Sequence, residues 1–320
     1  MKAVHYALVV AGMPLMAMIG VLVQDLEGFI RNCPGNGYGR DKFLAYCESE
    51  YYGDYEHGAY YLQSEPDAVA ALRRATVLFF GNSRMQIALS TEATTSFFRG
   101  LGLEKAYYLF GFTYTEQFEF PVKTLQKLGG SAKVAIVGVD DRFFEDRMSL
   151  PAMFVVDSNF AEHSYKQKRQ KQMFHRWICS LPAISGACGR SPSLFRDRQT
   201  GAWTTESLRD PKLESFGPDT PDESFGQHRL DLAVAGAEKF VAALRIPRSC
   251  IVFVPLPYPK WSPSTAAYLA QRVGVRSVPA QAERWETIDG SHLSQSSAER
   301  WSAGVLETVR PAIAECLLAN

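Results

Sequence analysis

Three side chains in this sequence suit nucleophilic acyl chemistry. Ser83 stands in Gly81-Asn82-Ser83-Arg84, directly after an apolar run, and Asp289 and His292 stand in Asp-Gly-Ser-His near the C-terminus. A serine hydroxyl is a weak nucleophile until a base takes its proton. An imidazole, titrating at about 6.5 when unperturbed, does this well when a carboxylate fixes its tautomer. The short turn between Asp289 and His292 is enough to place both groups in one pocket. Taken singly, each motif is ordinary: a serine after Gly-Asn is commonly a turn or N-cap residue, and DxxH arises often by chance. Their weight lies in occurring together, on elements able to bring them into contact.

Those elements alternate. Thr76 to Phe80, Ala106 to Phe112 and Val134 to Val139 are short continuous apolar runs, the pattern of strands buried on both faces of a parallel sheet. Helical segments are expected over Ala68 to Arg74, Thr113 to Leu128, Leu230 to Leu244 and Ser262 to Val273, with Ser262 as an N-cap and Pro263 at the first helical position. Cys250 to Val254 and Trp285 to Ile288 read as further strands. Ser296 and Glu299 form a capping-box pattern for a last helix ending near Leu318. Strands alternating with helices predict a parallel sheet covered on both faces. In such sheets ligands bind at the carboxyl ends of the strands, where Ser83, Gly111, Asp140 and Asp289 all fall. Residues 145–228 break the pattern and read as an insertion, with a helix near 165–180. That helix carries Lys166, Lys168, Arg169 and Lys171, a solvated face or a surface for anionic polymers or lipid headgroups.

Tyr6 to Val23 holds no charged residue, and as a helix would rise about 27 Å, close to the thickness of a bilayer core. Lys2 precedes the run, and Asp25 and Glu27 follow it, which predicts that the rest of the chain faces outward. A cleaved signal peptide is the alternative, although no small-x-small site follows the run. Residues 1–24 are therefore expected to be a membrane anchor, 25–65 a stalk, and 66–320 the folded domain. Of the six cysteines, the pairs Cys33/Cys47 and Cys179/Cys188 could close as disulfides outside the cytoplasm. Cys250 and Cys316 read as small buried hydrophobes. There is no CxxC pair, and no metal or cofactor is expected. His57, His163, His175 and His228 read as structural or solvated. Trp261, Trp285 and Trp301 read as core residues before sugar-binding ones. Lys plus Arg and Asp plus Glu number 34 each, so charge gives no case for nucleic-acid binding.

Val77 to Arg84 (VLFFGNSR) and Asp289 to Leu293 (DGSHL), with a parallel-sheet pattern between them, resemble the SGNH (GDSL-like) hydrolase superfamily. The resemblance spans most of residues 76–318 apart from the insertion. It implies a three-layer α/β/α sandwich, flavodoxin-like in outline, with Ser83 as nucleophile, His292 as general base and Asp289 as its orienter. It also implies an oxyanion hole from Ser83, Gly111 and the residue at position 140. Gly138-Val139-Asp140-Asp141 resembles the family's Gly-x-Asn-Asp block, but Asp140 stands where that block has Asn, and an ionised carboxylate would repel an oxyanion. With its N-terminal anchor the chain looks like the membrane-bound SGNH proteins of bacterial cell-surface O-acylation. There, a multi-spanning membrane acyltransferase exports an acyl group for transfer to a polysaccharide or teichoic acid. The expectation is thus an inner-membrane, single-pass serine esterase or O-acyltransferase with its catalytic domain in the periplasm or outside the cell. An assembly protein on a degenerate SGNH fold and a lipid-directed esterase are the alternatives.

Overall fold

The computed structural model describes residues 24–113, 116–130, 132–182, 185–205, 213–217, 226–259 and 263–318. The apolar run 6–23, Trp261 and the expected cap Ser262 lie outside the described residues. No helix among the described residues is long and apolar enough to cross a membrane.

The chain folds around a five-stranded parallel sheet. Its strands are β3 (Val77–Asn82), β4 (Tyr107–Phe112), β5 (Val134–Val139), β9 (Ile251–Pro255) and β10 (Arg276–Ser277), in the order β10-β9-β5-β3-β4. Counted along the chain this is the 2-1-3-4-5 order of doubly wound folds, whose switch point lies between the first and third strands. Here that point lies between β3, which leads into Ser83, and β5, which leads into Asp140. Every residue of β3, β4 and β5 is buried, as the continuous apolar runs require. The helices covering the sheet fall into two groups. α4 (Ser83–Ala88) and α5 (Thr91–Gly100) pack with α11 (Gln295–Leu318), which reaches β5 and β9; α9 (Gln227–Leu244) packs with α6 (Glu119–Leu128) and α10 (Pro263–Val273).

Three expectations need correction. Residues 25–65 are not a stalk. They form α1 (residues 24–32), β1 (Lys42–Cys47), β2 (Gly53–Asp54) and α2 (Glu56–Tyr61), and Phe29, Phe43, Leu44, Tyr55 and Tyr60 are fully buried. β1 pairs antiparallel with β6 (Ser193–Asp197) from the expected insertion, in a second sheet ordered β2-β1-β6-β7, where β7 is Trp203–Thr205. The two segments that read as loose ends are each other's partners. Second, Cys250 and Cys316 are joined in a disulfide, alongside the Cys33–Cys47 and Cys179–Cys188 bonds. Third, Trp285–Thr287 (β11) lies outside the parallel sheet and pairs antiparallel with β8 (Glu214–Phe216). The sheet's fifth strand is the two-residue β10.

The insertion also carries α7 (Leu150–Asp157) and α8 (Ala161–Cys179). The second sheet is fixed to α2 through a buried ion pair, Arg196 of β6 to Glu56 at 2.9 Å. Arg196 also donates to the carbonyls of Gly111 and Leu109, at 2.9 and 2.7 Å. Beside this pair, the fully buried His57 bonds Asp54 through Nδ1 at 2.8 Å and Glu116 through Nε2 at 3.1 Å. Ser149 also bonds Glu116, and Thr113 N donates to Glu56 at 2.7 Å. This network holds the segment after β4 out of the helix expected from residue 113, and α6 begins at Glu119.

Candidate active site

Ser83 is the first residue of α4 and follows β3 without an intervening loop. Helix α4 sits close on the sheet because two glycines leave room for Met85. A Cβ on Gly81 would lie 2.3 Å from Met85 Cβ, and one on Gly138 would lie 2.7 Å from its sulfur. Asn82 caps the helix, its Oδ1 accepting from Arg84 N at 3.0 Å. The hydroxyl of Ser83 is thereby presented at the carboxyl end of the sheet.

The base arrives from the other end of the chain. After β11, the main chain turns back so tightly that Ile288 N donates to His292 O at 2.9 Å, and Thr287 bridges Leu293. Gly290, at φ +71°, occupies the left-handed region where a side chain is strained. Asp289 Oδ1 accepts the backbone N–H groups of Ser291 and His292, at 2.9 and 2.7 Å. Its Oδ2 contacts His292 Nδ1 at 2.6 Å, and His292 Nε2 lies 2.9 Å from Ser83 Oγ. Ser83, His292 and Asp289 are thus one continuous hydrogen-bonded chain across 209 residues of sequence. Burial alone would push the Asp289 carboxyl up, but the His292 ring and these two N–H groups outweigh it and hold the carboxyl at about 2. An ionised Asp289 fixes the proton on Nδ1 and leaves Nε2 free to accept from Ser83.

Asp140 does not contribute an oxyanion donor. Oδ1 accepts from Arg142 N and Phe143 N at 2.9 and 2.8 Å, while Oδ2 accepts from Arg84 Nη1 at 2.9 Å and from the Asn82 side-chain amide. The carboxylate is an acceptor saturated by four donors, which is why position 140 can carry Asp instead of Asn. Gly111 lies within β4, in register with Gly81. Its carbonyl points to the sheet edge, accepting from Gln86 and Arg196. A Cβ on Gly111 would lie 2.8 Å from Gln86 Cγ, so the glycine leaves room for a side chain of α4.

Arg84 is the group that sequence reasoning quoted without a role. Its Nη1 binds both Asp140 and Asp141, the latter at 2.8 Å. Its Nε donates to Ser291 Oγ at 2.9 Å, and its guanidinium lies 3.9 Å from the centre of the Tyr258 ring. One side chain therefore ties the nucleophile's helix to the loops after β5 and β9 and to the turn carrying the base. The Gly-Asn-Ser-Arg motif was visible, but its partners lie 56 to 207 residues away, where no local pattern points to them.

A cleft of about 680 Å³ runs beside the triad. It is lined by Gln86 and Ile87 of α4, Trp203 of β7, Glu299 of α11, and Ile288 and Leu293, which flank Asp289 and His292. Trp203 of the second sheet therefore walls a space that opens beside Gln86, three residues after Ser83. Asp54, Glu56 and His57 offer ligand atoms within 4.8 Å of one another, but each already has a hydrogen-bond partner in the buried network. His175 is likewise engaged, through Tyr38 and Cys33 O.

The chain matches no protein-family model, no curated protein and no solved structure.

Proposed function

We propose that this protein is an SGNH-type serine esterase or O-acyltransferase that moves an acyl group, acetyl in the simplest case, to or from a cell-surface polysaccharide through an acyl-Ser83 intermediate. The observation that carries the reading is the unbroken contact from Ser83 Oγ to His292 to Asp289. The order of the blocks and the 2-1-3-4-5 strand order support an α/β/α SGNH sandwich. His292 Nε2 takes the Ser83 proton as Oγ attacks the acyl carbonyl. Collapse of the tetrahedral adduct expels the first alcohol, which receives that proton from His292. A hydroxyl of the acceptor, or water, then gives its proton to His292 and attacks the acyl-serine, and Ser83 regains its proton as it leaves. The backbone N–H of Ser83 would serve the developing oxyanion, and the cleft lined by Trp203 and Gln86 is where a glycan would lie beside the nucleophile.

Three disulfides support an oxidising, extracytoplasmic setting, in line with an anchor formed by the apolar run 6–23. A multi-spanning membrane acyltransferase is the partner that would present the acyl group. The saturated carboxylate of Asp140 favours one rival, a non-catalytic assembly protein on the same fold. Labelling the full chain with a fluorophosphonate probe separates the two. Labelling lost in both Ser83→Ala and His292→Ala supports the enzyme; a folded wild-type protein that does not label supports the assembly protein.

A further inference from the structure

Helix α8 buries one stripe, Ala161, Tyr165, Gln172, His175 and Cys179, at the spacing of a single helix face. The outward side of its C-terminal half is apolar, with Met173 65% and Trp177 58% exposed and Phe174 beside them. Phe160, just before α8, is 77% exposed, and α7, which packs on α8, adds Leu150 at 81% and Phe154. Solitary exposed apolar residues are ordinary, but so many on two successive helices mark an interaction surface. Exposed basic side chains flank it on α8: Lys166, which pairs with Glu162 at 2.7 Å, Arg169, and Arg176, which donates to Gly39 O at 3.2 Å; residues 150–179 hold five Lys or Arg against two Asp or Glu, in a chain of zero net charge.

The chain enters the domain next to this face. Asp25 of α1 pairs with Lys171, the Phe29 ring lies 4.3 Å from the His175 ring, and His175 Nε2 donates to Cys33 O at 3.1 Å. These contacts climb both helices together, so α1 runs parallel to α8. Whatever precedes Gln24, including the uncharged run 6–23, joins the domain alongside α8.

We infer that the outer face of α7 and α8 rests on a bilayer containing anionic lipids, with its apolar side chains at the headgroup–acyl boundary and Lys166, Arg169 and Arg176 against lipid phosphates. The inference builds on the reading of residues 6–23 as an anchor. Large apolar side chains next to Lys and Arg on one helix face are the pattern of helices that lie in the membrane interface, and long basic side chains reach from apolar surface to headgroups. A tethered domain needs little affinity for this, because the anchor supplies the surface at high effective concentration.

The full chain, reconstituted in vesicles with or without phosphatidylglycerol, tests this by photo-crosslinking. p-Benzoylphenylalanine would replace Phe160 or Phe174 on the face, Leu232 of α9 as an exposed control (58% exposed), or Leu15 in the apolar run. Phospholipid adducts are expected at 15, 160 and 174 and not at 232, with those at 160 and 174 enriched by phosphatidylglycerol. The triple substitution K166E/R169E/R176E should bring 160 and 174 down to the control level and leave 15 unchanged. Lipid adducts at 15 alone would overturn the docking and keep the anchor. Protein adducts at 160 and 174, from a second copy or another membrane protein, would also overturn it. Lipid adducts at none of the four positions would remove both readings.

Discussion

Arg84, the residue after Ser83, donates from Nε to Oγ of Ser291, the residue before His292, at 2.9 Å. The two halves of the triad are thus cross-linked by their own sequence neighbours. Arg84→Lys keeps a charge but cannot span Asp140, Asp141 and Ser291 together. Activity should fall about ten- to a hundredfold through misplacement of His292 against Ser83, with a smaller loss for Ser291→Ala. Steady-state kinetics on an activated ester such as p-nitrophenyl acetate, with fluorophosphonate labelling rates alongside, would measure both.

Asp140 makes an opposite-sign test of the family pattern. Asp140→Asn restores the residue expected in that block, and if Asp140 were simply a defective oxyanion group, activity would rise. Here the carboxylate holds Asn82 and Arg84 in place, so activity should drop. Stability should fall by about 1–3 kcal/mol as Arg84 loses one buried partner. Ester hydrolysis and denaturant unfolding of the variant decide the point.

With its carboxyl held at about 2, Asp289 stays ionised throughout the neutral and mildly acidic range. The acid limb of kcat/KM should therefore show no ionisation from Asp289. Asp289→Asn would present His292 with the wrong hydrogen-bonding partner and lower kcat on the order of 10³–10⁴-fold. A pH–rate profile with two acid ionisations would contradict the assignment.

Two buried histidines should shape stability in opposite directions. Burial works against a charged His57, but Asp54 and Glu116 outweigh it and raise its pKa to about 10. Its stabilisation is complete below its unfolded value of about 6.5 and is lost as pH rises towards 10. Burial lowers His175 to about 4, with the Cys33 carbonyl partly opposing. Its share is present above about 6.5 and is lost as pH falls towards 4. Tm measured across pH should show an alkaline decline blunted in His57→Gln and an acid decline blunted in His175→Phe.

The Cys250–Cys316 bond closes the longest loop of the three, with a sequence separation of 66. Replacing both cysteines with alanine should cost about 4 kcal/mol in a chain-entropy model. Because the bond ties Cys250, just before β9, to the end of α11 far from His292, esterase activity of the folded variant should be unchanged. Guanidinium unfolding beside the wild type measures the cost.

The three central strands were legible in the sequence because each is buried on both faces, and a continuous apolar run has few other uses. The meeting of Ser83, His292 and Asp289 was legible because serine follows such a strand and DxxH precedes a long helix. What escaped notice depended on distant partners. β1, Lys42–Cys47, is a short run inside a segment rich in Tyr, Gly, Asp and Glu and pairs with the distant β6, so its segment resembled a linker. Trp285–Thr287 has a strand's composition, yet nothing in it tells whether its neighbour is β9 or β8. Cys250 and Cys316 each sit in apolar surroundings, and only the packing of α11 brings them together. Arg84 was plain as a residue and opaque as a role, since its meaning lies in three other loops.

Glu56 and Arg196 are 140 residues apart in the chain and yet close one buried ion pair. As the polypeptide is made from its N-terminus, β1 and α2 appear first, with their aromatic side chains and an unpaired strand edge exposed until residues 193–205 arrive. Only β3, β4 and β5 of the parallel sheet can pair in the interval, and the wall beside the cleft cannot form. The segment holding β1 and α2 thus waits for β6, and a protein begun at residue 66 would lack half of its second sheet and carry Arg196 without its counter-ion. Non-local pairing of this kind slows folding and leaves strand edges open to aggregation, so the period before residue 193 emerges is when this chain has most need of a chaperone.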